Sequence, residues 1–356
     1  MKLYIDMIAF YLQKAGGITS VWKELLVRML RDRKDIILIL QHGECENIYF
    51  EQIMSYQPKV IYEKGNSINI NRYKPITIKF EENAGFISTY YKYALNRNIK
   101  QFVLVHDFTY EYYVKGVKKW VHSWQKRQAV KHAKVTICVS ENTQSDMLFF
   151  YPWAKSKENY VIYNGANETY QRKDNVGNVE CLGKFNEIPF LLYVGSRAKY
   201  KRFDFAVEVA ATYAYPLVII GGGEFSTFEQ EMMKNELGNN FLHLKGIADE
   251  ALNDIYNKAF ALLYPSEYEG FGIPIIEAQR AGCPVIAYAC AAISEIVGDT
   301  EILLKSNDKK ECQKLITKLK DKKFRDYLKD MGYKNSKKYS WDKTYLEYEK
   351  IVFGDN

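Results

Sequence analysis

Residues 260–288 read FALLYPSEYEGFGIPIIEAQRAGCPVIAY. The run opens as an apolar strand, FALLYPS, crosses a loop, EYEGFG, and enters a helix, PIIEAQRA. Pro274 suits the first turn of that helix, where a missing N–H leaves no bond unmade. Gly282 supplies a left-handed stop, and Pro284 closes the segment before a second strand, CPVIAY. Strand, helix, strand in this order is the unit of a parallel α/β sheet. Gly270, Phe271 and Gly272 therefore stand at a helix N-terminus just past a strand, where unpaired N–H groups suit phosphate or a polyhydroxyl ligand. Glycine there lets a ligand approach the backbone. Two acids, Glu269 and Glu277, flank the loop. Glu277, expected on the first helical turn, would favour the helix dipole on its own. Together the acids read as two carboxylates reaching one bound molecule, each able to take vicinal hydroxyls.

The same rhythm extends in both directions. KLYIDM, DIILIL, KVIY, GFIS, QFVLV, KVTICVS and NYVIY are strand candidates in the first half, and FLLYVG, YPLVIIGGG, NFLHLKG, FALLYPS and CPVIAY in the second. They are nearly continuous in apolar residues, as strands buried on both faces of a parallel sheet are. Between the first two lies GITSVWKELLVRML, with Ile18, Val21, Trp22, Leu25, Leu26, Met29 and Leu30 on one helical face. A chain of 356 residues exceeds what one core usually holds. The polar stretch NGANETYQRKDNVGNVE breaks the pattern. The expected organisation is a Rossmann-like N-terminal domain (1–165), a linker (166–189), a second Rossmann-like domain (190–336) and a C-terminal closing helix (337–356). Ligands of such open sheets bind beyond the carboxyl ends of the strands, so two doubly wound domains would hold one in a cleft between them.

Composition narrows the classes. The chain is 47% hydrophobic and 26% charged, which is globular. The N-terminus, MKLYIDMIAFYLQKAGG, lacks an uninterrupted apolar core and a cleavage site, and no run reaches the length of a membrane span; the expected localisation is cytoplasmic. The six cysteines are dispersed and read as reduced, buried thiols. The five histidines are scattered as well, so no metal site is expected. There is no G-x-G-x-x-G after a strand and no G-K-[ST], which argues against a dinucleotide-dependent dehydrogenase and a P-loop enzyme.

The net charge of +7 suggests an anionic partner. The stretch 115–134, KGVKKWVHSWQKRQAVKHAK, interleaves Lys115, Lys118, Lys119, Lys126, Arg127, Lys131 and Lys134 with Trp120, Val121 and Trp124. It reads either as a solvated basic helix or as a contact for anionic lipid headgroups or a lipid-diphosphate acceptor. No recognition motif for nucleic acid accompanies the charge.

Further candidates follow strand ends. In LLYVGSRAKYKRFD, Arg197 and Lys201 could grip a diphosphate, with Lys199 and Arg202 left as surface charges. Gly16 and Gly17 fall after the first strand and before the first helix. His106 and Asp107 end FVLV, where a histidine would be exposed rather than sheet-buried. Ser140 and Glu141 open a helix, with Ser140 first of all an N-cap.

The segment PSEYEGFGIPIIEAQRAGCPVIA, with Glu269 and Glu277 as its E-x7-E, resembles retaining GT-B glycosyltransferases of family 4 (group 1), and GSRAKYK resembles their mannosyltransferase-like members. The resemblance covers most of the chain and is strongest over the second half. It implies a nucleotide-diphosphate-sugar donor, with GDP-mannose the first guess, and a saccharide or lipid-linked glycan acceptor of surface polysaccharide or lipopolysaccharide synthesis. The basic stretch 115–134 would then be the part that meets the inner face of the cytoplasmic membrane. It further implies that Arg197 and Lys201 neutralise the leaving diphosphate, that Glu269 holds the donor sugar and that Glu277 holds the ribose. Gly17, Gly246, Ile247 and residues 270–273 (Gly270, Phe271, Gly272, Ile273) would line the donor, with Gly221 to Gly223 beside them. His106 would face the transferred sugar, and Gly16, Asp107, Ser140 and Glu141 the acceptor or the wall. No cofactor or metal is implied, and no D-x-D occurs. FISTYY departs from the family's FHSSYY, with Ile87 in the histidine position, so preferences near Ser88 and Thr89 are open. A nucleotide-sugar epimerase of the same fold and a non-catalytic partner in a polysaccharide assembly complex are the alternatives.

Overall fold

The computed structural model describes residues 1–65, 67–298, 303–306 and 308–354. The chain divides into two units, one of Met1–Asn164 with Trp341–Asn356, the other Gly165–Ser340.

In the first unit, β1 (Leu3–Asp6), β2 (Ile36–Leu40), β3 (Lys59–Tyr62), β4 (Gly85–Ser88), β5 (Lys100–Val105), β6 (Val135–Cys138) and β7 (Glu158–Val161) form a parallel sheet in the order β3-β2-β1-β4-β5-β6-β7. In the second, β8 (Leu191–Val194), β9 (Leu217–Ile220), β10 (Phe241–Leu244), β11 (Ala261–Tyr264), β12 (Val285–Tyr288) and β13 (Leu303–Leu304) run in the order β10-β9-β8-β11-β12-β13. Both are doubly wound orders in which the winding reverses beside the first strand of the unit, at β1/β4 and at β8/β11. The central strands are buried along their whole length, which is why they carried no alternation. On the helix Gly17–Asp32, Val21, Trp22, Leu25, Leu26, Met29 and Leu30 are buried as the spacing predicts.

Two expectations change, and the closing helix at the C-terminus is present. Residues 166–189 are not a free linker but part of the second unit. Tyr170 donates to Asp249 at 3.0 Å, the Gln171 amide donates to Asn253 at 3.0 Å, and Leu182 and Phe185 are buried. Polar side chains of one helix, Asp249–Lys258, hold this stretch, and they leave no apolar period to read. Gly16 and Gly17 precede the second helix rather than the first, because Ile8–Leu12 forms a short helix directly after β1. The C-terminal helix Trp341–Phe353 belongs to the first unit. Arg28 pairs with Asp342 at 2.7 Å, and the Thr344 hydroxyl donates to the Tyr163 carbonyl at 2.7 Å. Residues 355–356 of that expected segment lie outside the described residues.

Candidate active site

The loops beyond β8 and β11, neighbours at the switch point of the second unit, are strapped together. The Glu267 amide donates to the Tyr200 carbonyl at 2.7 Å, Arg202 pairs with Glu267 at 3.0 Å, and Lys201 meets Glu269 at 2.5 Å. Arg202, expected as a surface charge, is thus a part-buried structural pair. Lys201 and Glu269 are buried to 14% and 11% side-chain exposure, so their attraction is screened little by water.

Arg197 and Lys201 are each already partnered rather than standing as a bare cation pair. Arg197 donates to Glu229 at 2.8 Å and to the carbonyls of Gly221, Gly223 and Glu224, with its guanidinium over the Phe225 ring at 4.5 Å. Gly222 makes room for it. A Cβ there would lie 2.3 Å from Arg197 Nη1, and its φ of +80° disfavours any other residue. Glu229 is in turn held by Ser226, in a capping box that opens the helix Thr227–Leu237. His243 reaches the Gly221 carbonyl at 2.8 Å, which ties the loop after β10, with Gly246 and Ile247, to the same edge.

The helix after β11 is Ile273–Arg280, with Gly272 as its left-handed N-cap and Pro274 in its first turn. Ile273 is therefore the first helical residue. Glu277 is one turn further in than expected, and the first turn carries no acid. Its surroundings are aromatic. The Tyr256 hydroxyl donates to it at 3.1 Å and Tyr170 also bonds it, while Asp249, the acceptor of the Tyr170 hydroxyl, stands near. Burial first, and then repulsion from Asp249, push the Glu277 carboxyl up to about 8 against the relief its tyrosine bonds give. A dipole-capping role does not fit a second-turn acid in such a shell. Tyr170, Tyr256 and Asp249 were missed in the sequence because Tyr170 lies in the supposed linker and the other two on an ordinary amphipathic helix, Asp249–Lys258.

In the first unit the candidates also gather at the carboxyl edge. His106 and Asp107 follow β5, and Gly16 caps the helix Gly17–Asp32. His106 is half-buried rather than exposed. Its Nε2 is buried without a protein partner, and burial, together with Lys126, lowers its imidazole to about 4, Asp107 opposing. Burial opposes the charge on Asp107, but Lys126 and the Thr109 amide hold its carboxyl below the usual range. Lys126 is the surprise. It was counted with the basic surface, yet it is fully buried, bonding the Asp107 carbonyl at 2.7 Å and Glu111 at 2.8 Å. Ser140 is the N-cap its position suggested, accepting from the Thr143 amide at 3.0 Å, with Glu141 the first residue of that helix.

Beneath this edge lies a buried polar network that the sequence did not disclose. Asp6 accepts from Ser88 at 2.7 Å, Lys92 pairs with Glu63 at 2.5 Å, and Gln41 donates to Glu63 at 2.6 Å. Burial, offset by Lys92 and reinforced by Glu63, raises Asp6 to about 6. Ser88 and Thr89, at the departure FISTYY, serve this interior: Thr89 accepts from the Ala9 amide at 2.9 Å.

All six cysteines are free, three of them buried. Among the described residues no cluster of His, Cys, Asp and Glu suits a metal ion, and no helix is long and apolar enough to cross a membrane.

Residues 179–338 match the family described as glycosyl transferases group 1. Those residues belong to that family. The group 1 segment contains Arg197, Lys201, Glu269 and Glu277, so the strapped loops are its own. The whole chain is similar to the O-antigen chain mannosyltransferase RfbU of Salmonella typhimurium, 25% identical over 92% of this chain and 95% of that one. Among solved structures it resembles sucrose-phosphate synthase from Thermosynechococcus elongatus (TM-score 0.74, 16% identity, covering 98% and 97% of the two chains). It also resembles HepE of Anabaena, solved with UDP-glucose (TM-score 0.74, 13% identity, covering 100% of both chains). The fold is GT-B, with two Rossmann-like units.

Proposed function

We propose that the protein is a retaining glycosyltransferase that moves a hexose from a nucleoside diphosphate sugar to a hydroxyl of a saccharide or lipid-linked glycan. The observation that carries this reading is the different setting of the two acids. Glu269 is locked onto Lys201 beside the switch point, and Glu277 sits apart in a tyrosine shell. In this reading Glu277 takes the ribose hydroxyls and Glu269 those of the donor sugar. The bond from the anomeric carbon to the phosphate oxygen breaks, and the diphosphate leaves with the electron pair. Lys201, Arg197 and the amides at residues 270–272 meet the growing phosphate charge in place of a metal. The acceptor oxygen bonds the anomeric carbon on the face the phosphate has left, and its proton passes to a phosphate oxygen. To His106, at the carboxyl edge of the first unit, this reading assigns the orienting of the transferred sugar, a hydrogen-bonding task that a neutral imidazole can perform without carrying charge. A role in surface polysaccharide synthesis and a mannosyl donor are supported by the likeness to RfbU, an O-antigen chain mannosyltransferase, and GDP-mannose is the first donor to test.

Thermal-shift titration with GDP, UDP, dTDP and their sugars, with and without EDTA, tests the reading. One nucleotide should raise the midpoint by mass action, and Lys201→Ala should abolish transfer. Silence from every nucleotide would move weight to a non-catalytic partner. Sugar interconversion without transfer would favour an epimerase.

The membrane side of the reading rests on the helix Val117–His132. Val117 is 77% exposed and Trp120 69%, beside Lys118, Lys119 and Arg127, with Phe149 72% exposed on the helix Glu141–Phe150. Exposed aromatic rings among cations suit an anionic bilayer at the cytoplasmic face. Co-sedimentation with phosphatidylglycerol vesicles, reduced in Trp120→Ser, is the expected result; equal binding to neutral phosphatidylcholine would refute it.

A further inference from the structure

The N-terminal half of the helix Val117–His132 also borders a cavity of about 400 Å³ in the first unit, lined among others by Arg72, Tyr73, Tyr110, Lys118, His122 and Gln125. That volume falls in the range of about 300–1,000 Å³ typical of small-molecule sites. Three polar atoms of its lining are buried without a partner in the protein: Arg72 Nε, His122 Nδ1 and Gln125 Oε1. His122 is 8% exposed and Gln125 2%. Buried polar atoms are nearly always satisfied, so three orphans around one cavity indicate that something else completes them. The set offers a charged donor, a carbonyl acceptor and an imidazole nitrogen.

The rings are arranged as faces. His122 stacks on Tyr110 with centroids 3.8 Å apart and planes 13° from parallel, and the Arg72 guanidinium lies 5.0 Å over the Tyr73 ring. The lining holds two cations, Arg72 and Lys118, and no acid. Flat aromatic walls, hydrogen-bonding groups and two lining cations together select a ring-shaped, hydroxyl-rich anion. The cavity is also coupled to the candidate acceptor edge. The Tyr91 ring lies 5.7 Å from His122, and its hydroxyl accepts from the His106 amide at 3.3 Å. One side chain separates the cavity from His106.

We propose that this cavity is a subsite for an acidic sugar residue of the acceptor, one whose ring carries a carboxylate or a phosphate; the assignment to an acceptor rests on the glycosyltransferase reading above. Arg72 holds the anionic group, Gln125 and His122 take ring hydroxyls, and Tyr73 and Tyr110 flank the ring.

The test is calorimetric titration of the full chain with glucuronate, glucose 6-phosphate, methyl glucoside and inorganic phosphate. The first two should bind at least about tenfold more tightly than methyl glucoside, the worth of one charge-assisted hydrogen bond; which of them binds better identifies carboxylate or phosphate. Arg72→Gln should remove that preference, and its fold should persist because Arg72 Nε bonds nothing in the protein. Tyr73→Ala, at a 39% exposed side chain, should weaken both anionic sugars without unfolding. Equal binding of neutral and anionic sugars, binding of phosphate alone, or affinities unchanged in both variants would overturn the proposal. A nucleotide shift that persists while no sugar probe binds would refute this subsite and leave the donor reading intact. Anionic sugars that bind while no nucleotide shifts the midpoint would keep an acidic-sugar site here and overturn its assignment to an acceptor.

Discussion

Replacing Glu277 by glutamine isolates the proton that its tyrosine shell imposes. The side chain keeps its volume and its acceptor oxygen for Tyr256 but can no longer ionise. In the unfolded chain the glutamate titrates near 4.5; in the fold burial raises it to about 8. Below pH 4.5 both states hold the proton and the group adds no pH dependence. Between 4.5 and 8 the unfolded chain releases the proton while the fold retains it, so stability falls as pH rises, and above 8 the loss is complete. The ceiling is about 5 kcal/mol, at 1.36 kcal/mol per pH unit of separation. Glu277 is half-buried rather than sealed, so about 2 kcal/mol is the working expectation, or roughly 4–8 °C of midpoint for a unit of this size. Thermal melts of the wild type and Glu277→Gln at pH 5, 6, 7 and 8.5 should diverge, the wild type losing ground to the variant at each step. Parallel curves would refute the reasoning, because they would mean that Glu277 is ionised at neutral pH despite its surroundings.

If ribose hydroxyls donate to Glu277 they favour its charged form, so nucleotide binding at pH 7 should release up to about one proton; calorimetry in buffers of different ionisation enthalpy reads this, and Glu277→Gln should release none. Gly222→Ala should displace Arg197, whose Nη1 would meet the new Cβ at 2.3 Å, and lower kcat by about 100-fold or more with the fold intact by circular dichroism. Lys92→Met should cost about 3–5 kcal/mol in denaturant melts by leaving Glu63 buried and unpaired, and Glu63→Gln added to it should recover most of that loss. Ser140→Ala should cost about 1 kcal/mol through the lost N-cap, as measured by the same melts.

Local chemistry was legible from the sequence wherever one residue type answers one local requirement. Continuous apolar strands, Pro274 inside a first turn, Gly282 at a helix stop and Ser140 at a helix start each report a backbone demand met within a few positions, so fold class and the strand-end loops could be read directly. The E-x7-E spacing likewise brought Glu269 and Glu277 to one loop and helix. Pairing across the sequence could not be read, because no local period records it. That Lys201 closes on Glu269, that Arg197 is taken by Glu229, and that Tyr170 crosses from a polar stretch to Asp249 all depend on which strands become neighbours in the sheet. Charge was misjudged for the same reason. Lys126 looks like its neighbours on a basic helix, but the turn of that helix points it inward to Glu111, and only the packed unit decides that a cation is buried there. The sequence determined the elements and the chemical inventory at their ends; the tertiary structure decided protonation, pairing and which cavity was left with polar atoms unanswered, because desolvation and partner choice arise only when distant segments meet.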